Sequence, residues 1–283
     1  METLETVIKN IKNVKVQGAK EIALYALKFL KDFCKKNGFG LKFEVACKFL
    51  EEARPTAVVL HNCLEILKSK RNLKTIDKLI NYLENVNKKI AKFGNKIVKD
   101  NSVIMTHCHS GEALSVIKYA WKFKKKISVI ATETEPLHQG IKTVKELAKE
   151  KIPVTLIVDS AMGYFMKSVD MVIVGTDAIR IVEPKGVVNK IGTLLLALAA
   201  KKYNKPFYVV GNLLKIDKRK VFKIEERPYK EVYHKLKGVK IRNPAFDVVP
   251  FNLVTGIVNE KGVFKTNEFL KKFANSHLEE ILM

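Results

Sequence analysis

VIMTHCHSG, from Val103 to Gly111, is an apolar run that stops in a polar tip. Val103, Ile104, Met105 and Thr106 favour a buried strand, entered from the turn-like Lys99-Asp100-Asn101. His107, Cys108, His109, Ser110 and Gly111 break the run, and helical apolar spacing begins at Ala113. The layout is strand, tip, helix. In an open parallel sheet, ligands bind where strands end and the following helices begin, so a thiol flanked by two imidazoles at that point is a candidate site.

Downstream the same grammar repeats. Apolar β-branched runs occur at Ile127–Thr132, Val154–Val158, Met171–Val174 and Phe207–Val210, with helical patterns at Ala113–Lys124, Thr143–Lys149 and Ile191–Lys202 between most of them. Strands this uniformly apolar are buried on both faces, the signature of a parallel sheet. Alternating β and α segments build a doubly wound α/β domain. A Pro-rich turn from Asn243, a short strand near Val254–Val258 and a last helix complete it. Upstream no strand is evident. Thr6–Ile11, Ala19–Phe33, Leu41–Ala53, Thr56–Leu67 and Leu73–Val98 carry apolar residues at three- and four-residue spacing. The expected architecture is α/β: a helical domain over residues 1–98 and a parallel-sheet domain with helices on both faces over residues 99–283.

Composition narrows the function. The chain has 283 residues, of which 47% are hydrophobic, enough for a sizeable core. No apolar run approaches the length of a membrane span, and the start, METLETVIKNIKN, has no signal-peptide core. The four cysteines lack paired CxxC spacing, so reduced thiols in a cytoplasm are expected. A net charge of +23 favours anionic or phosphorylated partners. The lysines are dispersed among glutamates, and no RNA-binding signature, zinc-finger spacing or arginine-rich arm occurs, so direct nucleic-acid binding is not expected. Abundant Lys, Glu, Ile and Val beside only two Gln lean towards a thermophile.

The strand tips hold the chemistry. They are His107-Cys108-His109-Ser110, Thr132-Glu133-Thr134-Glu135-Pro136 with Gln139-Gly140, Asp159-Ser160, Gly175-Thr176-Asp177, and Gly211-Asn212. In parallel adjacent strands they converge on one crevice. Asp159 also reads as the N-cap of a helix from Ala161, and Asp177 as a turn residue. Two imidazoles at a helix entrance would lower the Cys108 pKa, although a buried small hydrophobe is the other reading. His107-Cys108-His109 does not complete a zinc ligand set, and neighbours in a strand point apart, against a Cys-His protease pair. No glycine-rich dinucleotide or ATP loop follows any strand, so no cofactor is indicated. In the helical part, Gly18 precedes a helix start whose free N–H groups can hold an anion, and Arg54 precedes a proline that can open the next helix.

Eight motifs in order, QGAKEIA, ARPTAV, MTHCHSG, TETEP with QG, VDSA, GTDAI, NKIGT and NPAFDVVP, run from Gln17 to Pro250. This series closely resembles the family joining ribose-1,5-bisphosphate isomerases, 5-methylthioribose-1-phosphate isomerases and the alpha, beta and delta subunits of translation initiation factor 2B. The resemblance implies a Rossmann-like second domain and assembly as homodimers or trimers of dimers. It further implies a catalytic Cys108 and Asp177, with substrate contacts at Gln17, Gly18, Ala19, Lys20, Arg54, Ser110, Gln139, Asn189, Lys190 and Lys215. The regulatory factor subunits generally do not keep both catalytic residues; this chain does. Two positions depart from the isomerases: Gln17 and Glu135 stand where they carry arginine, and neither can grip a phosphate bidentately. The implied activity is isomerisation of a phosphorylated pentose, ribose 1,5-bisphosphate first and methylthioribose 1-phosphate as an alternative. A non-catalytic subunit docking initiation factor 2 is the third reading.

Overall fold

A computed structural model of the chain describes residues 2–13, 15–16, 18–123, 125–277 and 280. The chain divides into two compact units, Met1–Val86 with Leu213–Ile216 and Asn275–Met283, and Asn87–Asn212 with Asp217–Ala274.

The first unit is helical, as its periodicity requires. It contains α1 (Leu4–Lys12), α2 (Ala19–Asn37), α3 (Leu41–Ala53), α4 (Val58–Lys70) and most of α5 (Leu73–Gly94), which runs on into the second unit. Thr3 caps α1 by accepting the Thr6 N–H at 3.2 Å. In α2, Ile22, Ala23, Ala26, Leu27, Leu30 and Cys34 form the buried stripe. That helix stops at Gly38, whose φ of 69° lies in the left-handed region that glycine tolerates. Asn62 is buried in α4, and its amide donates to the carbonyls of Leu214 at 2.7 Å and Ile216 at 2.8 Å. Those bonds tie a segment from far along the chain into the helical unit.

The second unit is α/β, as expected. Among the described residues, β1 (Val103–Thr106), β2 (Ser128–Thr132), β3 (Val154–Ile157), β4 (Met171–Val174), β7 (Phe207–Val210), β10 (Gly256–Asn259) and β11 (Gly262–Lys265) form one sheet in the order β11-β10-β7-β4-β1-β2-β3. β10 and β11 pair antiparallel and the other neighbours pair parallel. The chain leaves β1 towards β2 and β3, then returns to the other side of β1 with β4. Right-handed crossovers on the two sides of that reversal put helices on opposite faces. The helices are α6 (Gly111–Lys122), α7 (Gln139–Lys149), the single turn α8 (Met162–Phe165), α9 (Thr193–Lys202) and α10 (Thr266–Phe273). β4 is buried throughout, while β3, expected to be buried on both faces, is the sheet edge and leaves Leu156 44% exposed.

A second sheet was not anticipated. β5 (Ala178–Arg180), β6 (Gly186–Lys190), β8 (Ile216–Asp217) and β9 (Phe246–Val249) associate in the order β8-β5-β6-β9. Antiparallel pairing sets Asn189 opposite Asp247 and Lys190 opposite Phe246. The helix expected from Ile191 therefore starts later, at Thr193, because the residues before it are committed to this sheet. Arg180, fully buried, donates to Asp217 at 2.8 Å and to the Glu183 carbonyl at 2.8 Å, while Arg219 grips the other Asp217 oxygen at 2.8 Å. Burial works to raise the Asp217 pKa, but these two guanidinium groups outweigh it and hold the carboxyl below the usual range.

Candidate active site

The reversal of strand order lies between β1 and β4, and ligands of open α/β sheets bind at the carboxyl ends of such strands. Cys108 follows β1 and Asp177 follows β4. The two tips touch: a Cβ added to Gly175 would lie 2.2 Å from Ser110 Oγ, so only glycine fits there. Ser110 caps α6 by accepting the Ala113 N–H at 3.3 Å. Asp177 is half-buried, and its N–H donates to the Val188 carbonyl at 2.9 Å, which aligns the loop after β4 with β6.

Cys108 does not continue β1. Its φ of 68° is left-handed, so its side chain leaves the strand's alternation. The backbone is held from both sides, with the N–H donating to Thr134 Oγ1 at 2.9 Å and the carbonyl accepting from Thr143 Oγ1 at 2.8 Å. His107 is buried and fixed. Its Nε2 lies 2.8 Å from the Ile191 carbonyl and its Nδ1 2.6 Å from Thr132 Oγ1. A carbonyl only accepts, so Nε2 carries the proton; burial keeps the ring neutral by lowering its pKa, and Nδ1 accepts from the threonine. His109 Nδ1 lies 3.1 Å from Thr143 Oγ1.

The expected depression of the thiol pKa does not occur. Burial pushes Cys108 up to about 11, and the Asp177 and Asp159 charges add to the rise. The Lys190 ammonium and a backbone hydrogen bond from His109 pull the other way without prevailing. The neutral His107 ring supplies no positive charge to counter the burial. Asp159 is not a helix N-cap either. Its carboxylate accepts the N–H groups of Thr134 at 2.9 Å and Glu135 at 2.8 Å, shaping the tip after β2.

The other candidates of this unit lie on β6 and at the start of α7. Asn189 and Lys190 are buried in β6, with Asn189 donating to Thr193 Oγ1 at 3.1 Å and the Lys190 ammonium 5.4 Å from the centre of the Phe246 ring. Gln139 opens α7 with its Oε1 buried and without a hydrogen-bond partner among the described residues. The adjoining Gly140 packs so closely that an added Cβ would lie 1.7 Å from the Thr132 carbonyl oxygen. Glu135 is exposed, with a carboxylate oxygen 3.3 Å from His138 Nδ1.

Gly18, Ala19, Lys20, Arg54 and Lys215 belong to the first unit, and Gln17 lies outside the described residues. Gly18 is the N-cap of α2 with φ 93°, and the Glu21 carboxylate lies where a Gly18 Cβ would be, 2.2 Å from it. Arg54 ends α3, its carbonyl accepting the Ala57 N–H at 2.9 Å. Lys215 is buried in the short turn held by Asn62.

Asp247, within the NPAFDVVP motif, carries no role in the sequence expectations. Its Oδ2 accepts the N–H groups of Gly192 at 2.9 Å and Leu194 at 3.0 Å. Burial pushes its carboxyl up to about 6 despite those bonds. The signal for it was negative: α9 starts at a glycine that has no capping side chain, so the cap comes from elsewhere.

Residues 15–266 match the description "initiation factor 2 subunit family". The chain belongs to that family. A ribose 1,5-bisphosphate isomerase of Archaeoglobus fulgidus is 40% identical, covering 93% of this chain and 90% of that protein. A methylthioribose-1-phosphate isomerase of Thermoanaerobacter is 38% identical over 92% of this chain and 85% of that one. A crystal structure described as translation initiation factor eIF-2B of Pyrococcus horikoshii superposes with a TM-score of 0.81 at 28% identity, covering 94% of this chain and 98% of the other. The chain is an isomerase of this family, and its isomerase relatives are named for sugar phosphates. Among the described residues no helix is long and apolar enough to cross a membrane.

Proposed function

We propose that this protein interconverts a phosphorylated aldose and ketose, taking ribose 1,5-bisphosphate to ribulose 1,5-bisphosphate, with Cys108 and Asp177 as its proton-transfer pair. One observation carries the reading. The two residues follow the two strands that flank the reversal of sheet order, and the Asp177 charge acts directly on the Cys108 thiol.

The substrate's aldehyde is masked in a furanose ring phosphorylated at the anomeric oxygen, so the ring must open before C2 becomes acidic. The thiol holds its proton at neutral pH and has to shed it before acting as a base. Asp177 is the acceptor, and gaining that proton makes it the acid. The Asp177 carboxyl protonates the ring oxygen as the C1–O4 bond breaks, and the Cys108 thiolate takes the C2 proton to leave an enol at C1–C2. The Cys108 thiol then returns a proton to C1 while the Asp177 carboxylate takes the one on the 2-hydroxyl. A ketone forms at C2 and both side chains regain their reactive states. Lys190, Asn189, Ser110 and Gln139, all on the second unit, are assigned to holding sugar and phosphate. The same reading places the protein in the cytoplasm as a homodimer or trimer of dimers.

Methylthioribose 1-phosphate, a sugar with one phosphate, is the alternative substrate. Turnover of both sugar phosphates followed by phosphorus NMR decides between them. Cys108→Ser and Asp177→Asn are each expected to reduce turnover by about 10²–10⁴-fold with the fold retained. Wild-type-like turnover in either variant overturns the assignment. A wild type inactive on both sugars that captures initiation factor 2 replaces it with the regulatory reading.

A further inference from the structure

Asp247 lies in the NPAFDVVP motif, but neither the resemblance nor the proposed proton transfers give it a role. Its side chain crosses from β9 to the start of α9, a helix whose own first residues supply no cap. By accepting from Gly192 and Leu194 it satisfies two of the four N–H groups that a helix start leaves open. The second carboxylate oxygen, Oδ1, is buried without a hydrogen-bond partner among the described residues. A carboxylate left half-satisfied away from water is expensive when a local Ser or Thr cap would serve as well.

The turn it pins adjoins the candidate site. Gly192 has φ 100°, and an added Cβ there would lie 3.2 Å from both Cε1 and Nε2 of His107, so the turn packs directly on the imidazole. The Ile191 carbonyl in the same turn receives the His107 Nε2–H, and the Ile191 N–H is anchored on the Ala245 carbonyl at 3.0 Å. The turn begins at Lys190, whose charge acts on both His107 and Cys108. A line of direct contacts therefore runs from Asp247 through Gly192 and Ile191 to His107, the residue bonded to Cys108.

We propose that Asp247 is a positioning residue of this site: it fixes the Lys190–Gly192 turn so that the Ile191 carbonyl locks the tautomer and orientation of His107 and Lys190 is held towards Cys108. The catalytic part of this inference rests on the proposed function; the structural part does not. Asn keeps an acceptor at the position of Oδ2, Ala removes it, and Glu keeps the charge but displaces it by one methylene.

The full-length chain labelled with ¹⁵N-histidine gives a direct reading, since it has only six histidines. In the wild type His107 is expected as a single neutral Nε2–H tautomer. Asp247→Ala and Asp247→Glu should convert that signal to a tautomer mixture, and Asp247→Asn should restore it. In turnover, Ala and Glu should lower kcat by up to about 10²-fold, as expected for a small misplacement of reacting groups, with Asn closer to wild type. An unchanged His107 signal in folded Asp247→Ala overturns the proposal. Should that variant fail to fold, Asp247→Glu carries the same decision. A wild type without turnover on either sugar phosphate sinks the proposed reaction and leaves the histidine measurement, which needs no substrate, to judge Asp247.

Discussion

Alkylation of Cys108 by iodoacetamide tests the electrostatics of the site. The thiol is pushed up to about 11, chiefly by burial. At pH 7.5 that leaves about 3 × 10⁻⁴ of it as thiolate, against about 0.09 for an ordinary cysteine of pKa ~8.5, a deficit of about 300-fold. A more basic thiolate is more nucleophilic, and with a Brønsted slope of ~0.45 the gain over 2.5 units is about 13-fold. The net expectation is reaction about 20-fold slower than a free thiol. Native protein is pulsed with reagent between pH 7 and 10, and the Cys108 peptide is quantified by mass spectrometry. Cys34, Cys47 and Cys63 are buried in the first unit and should stay unmodified. The rate should climb about tenfold per pH unit across the whole range, because only thiolate reacts. A plateau at or below pH 8 refutes the reasoning: the Lys190 charge would then outweigh burial, Cys108 would rest as a thiolate, and no proton would need to pass to Asp177.

Two further outcomes concern the scaffold. Arg180→Met leaves Asp217 buried with only Arg219 beside it and should cost about 3 kcal/mol in urea denaturation, whereas a loss below ~1 kcal/mol would show that Arg219 alone balances the charge. The Asp247 carboxyl keeps its proton up to about 6 in the fold and to ~3.9 unfolded, so it contributes stability below pH 4 that is lost as pH rises through 6, by up to about 3 kcal/mol. Asp247→Asn removes that component, and the difference between the two stability curves from pH 4 to 6 should slope accordingly; parallel curves contradict it.

The strands that carry the candidate site are legible because its motifs sit at the ends of strongly apolar runs. Val103–Thr106, Met171–Val174 and Phe207–Val210 are strands at the bounds their sequences indicate, since a β-branched run between turn residues admits little else. The second sheet was hidden. Gly186-Val187-Val188 is too short an apolar run to stand out, and the polar Asn189-Lys190 that end the strand lengthen it with no β signal. The ionisation of Cys108 was misread for a related reason. Proximity of imidazoles is visible in a sequence, but burial, which lowers the His107 pKa and raises that of the thiol, arises only when distant segments pack together. The cap from Asp247 joins positions 55 residues apart, and no local pattern encodes it.

The two amide bonds of Asn62 bear on the order in which the chain can be completed during synthesis. They reach the carbonyls of Leu214 and Ile216, residues that leave the ribosome only after β1, β2, β3, β4 and β7 have been made. The nascent helical unit must therefore wait, with a buried amide still unsatisfied, until most of the sheet has emerged. A fragment ending before residue 213 lacks these acceptors altogether. Proteolysis of stalled nascent chains should show the protection of α4 rising only once residue 216 has cleared the exit tunnel.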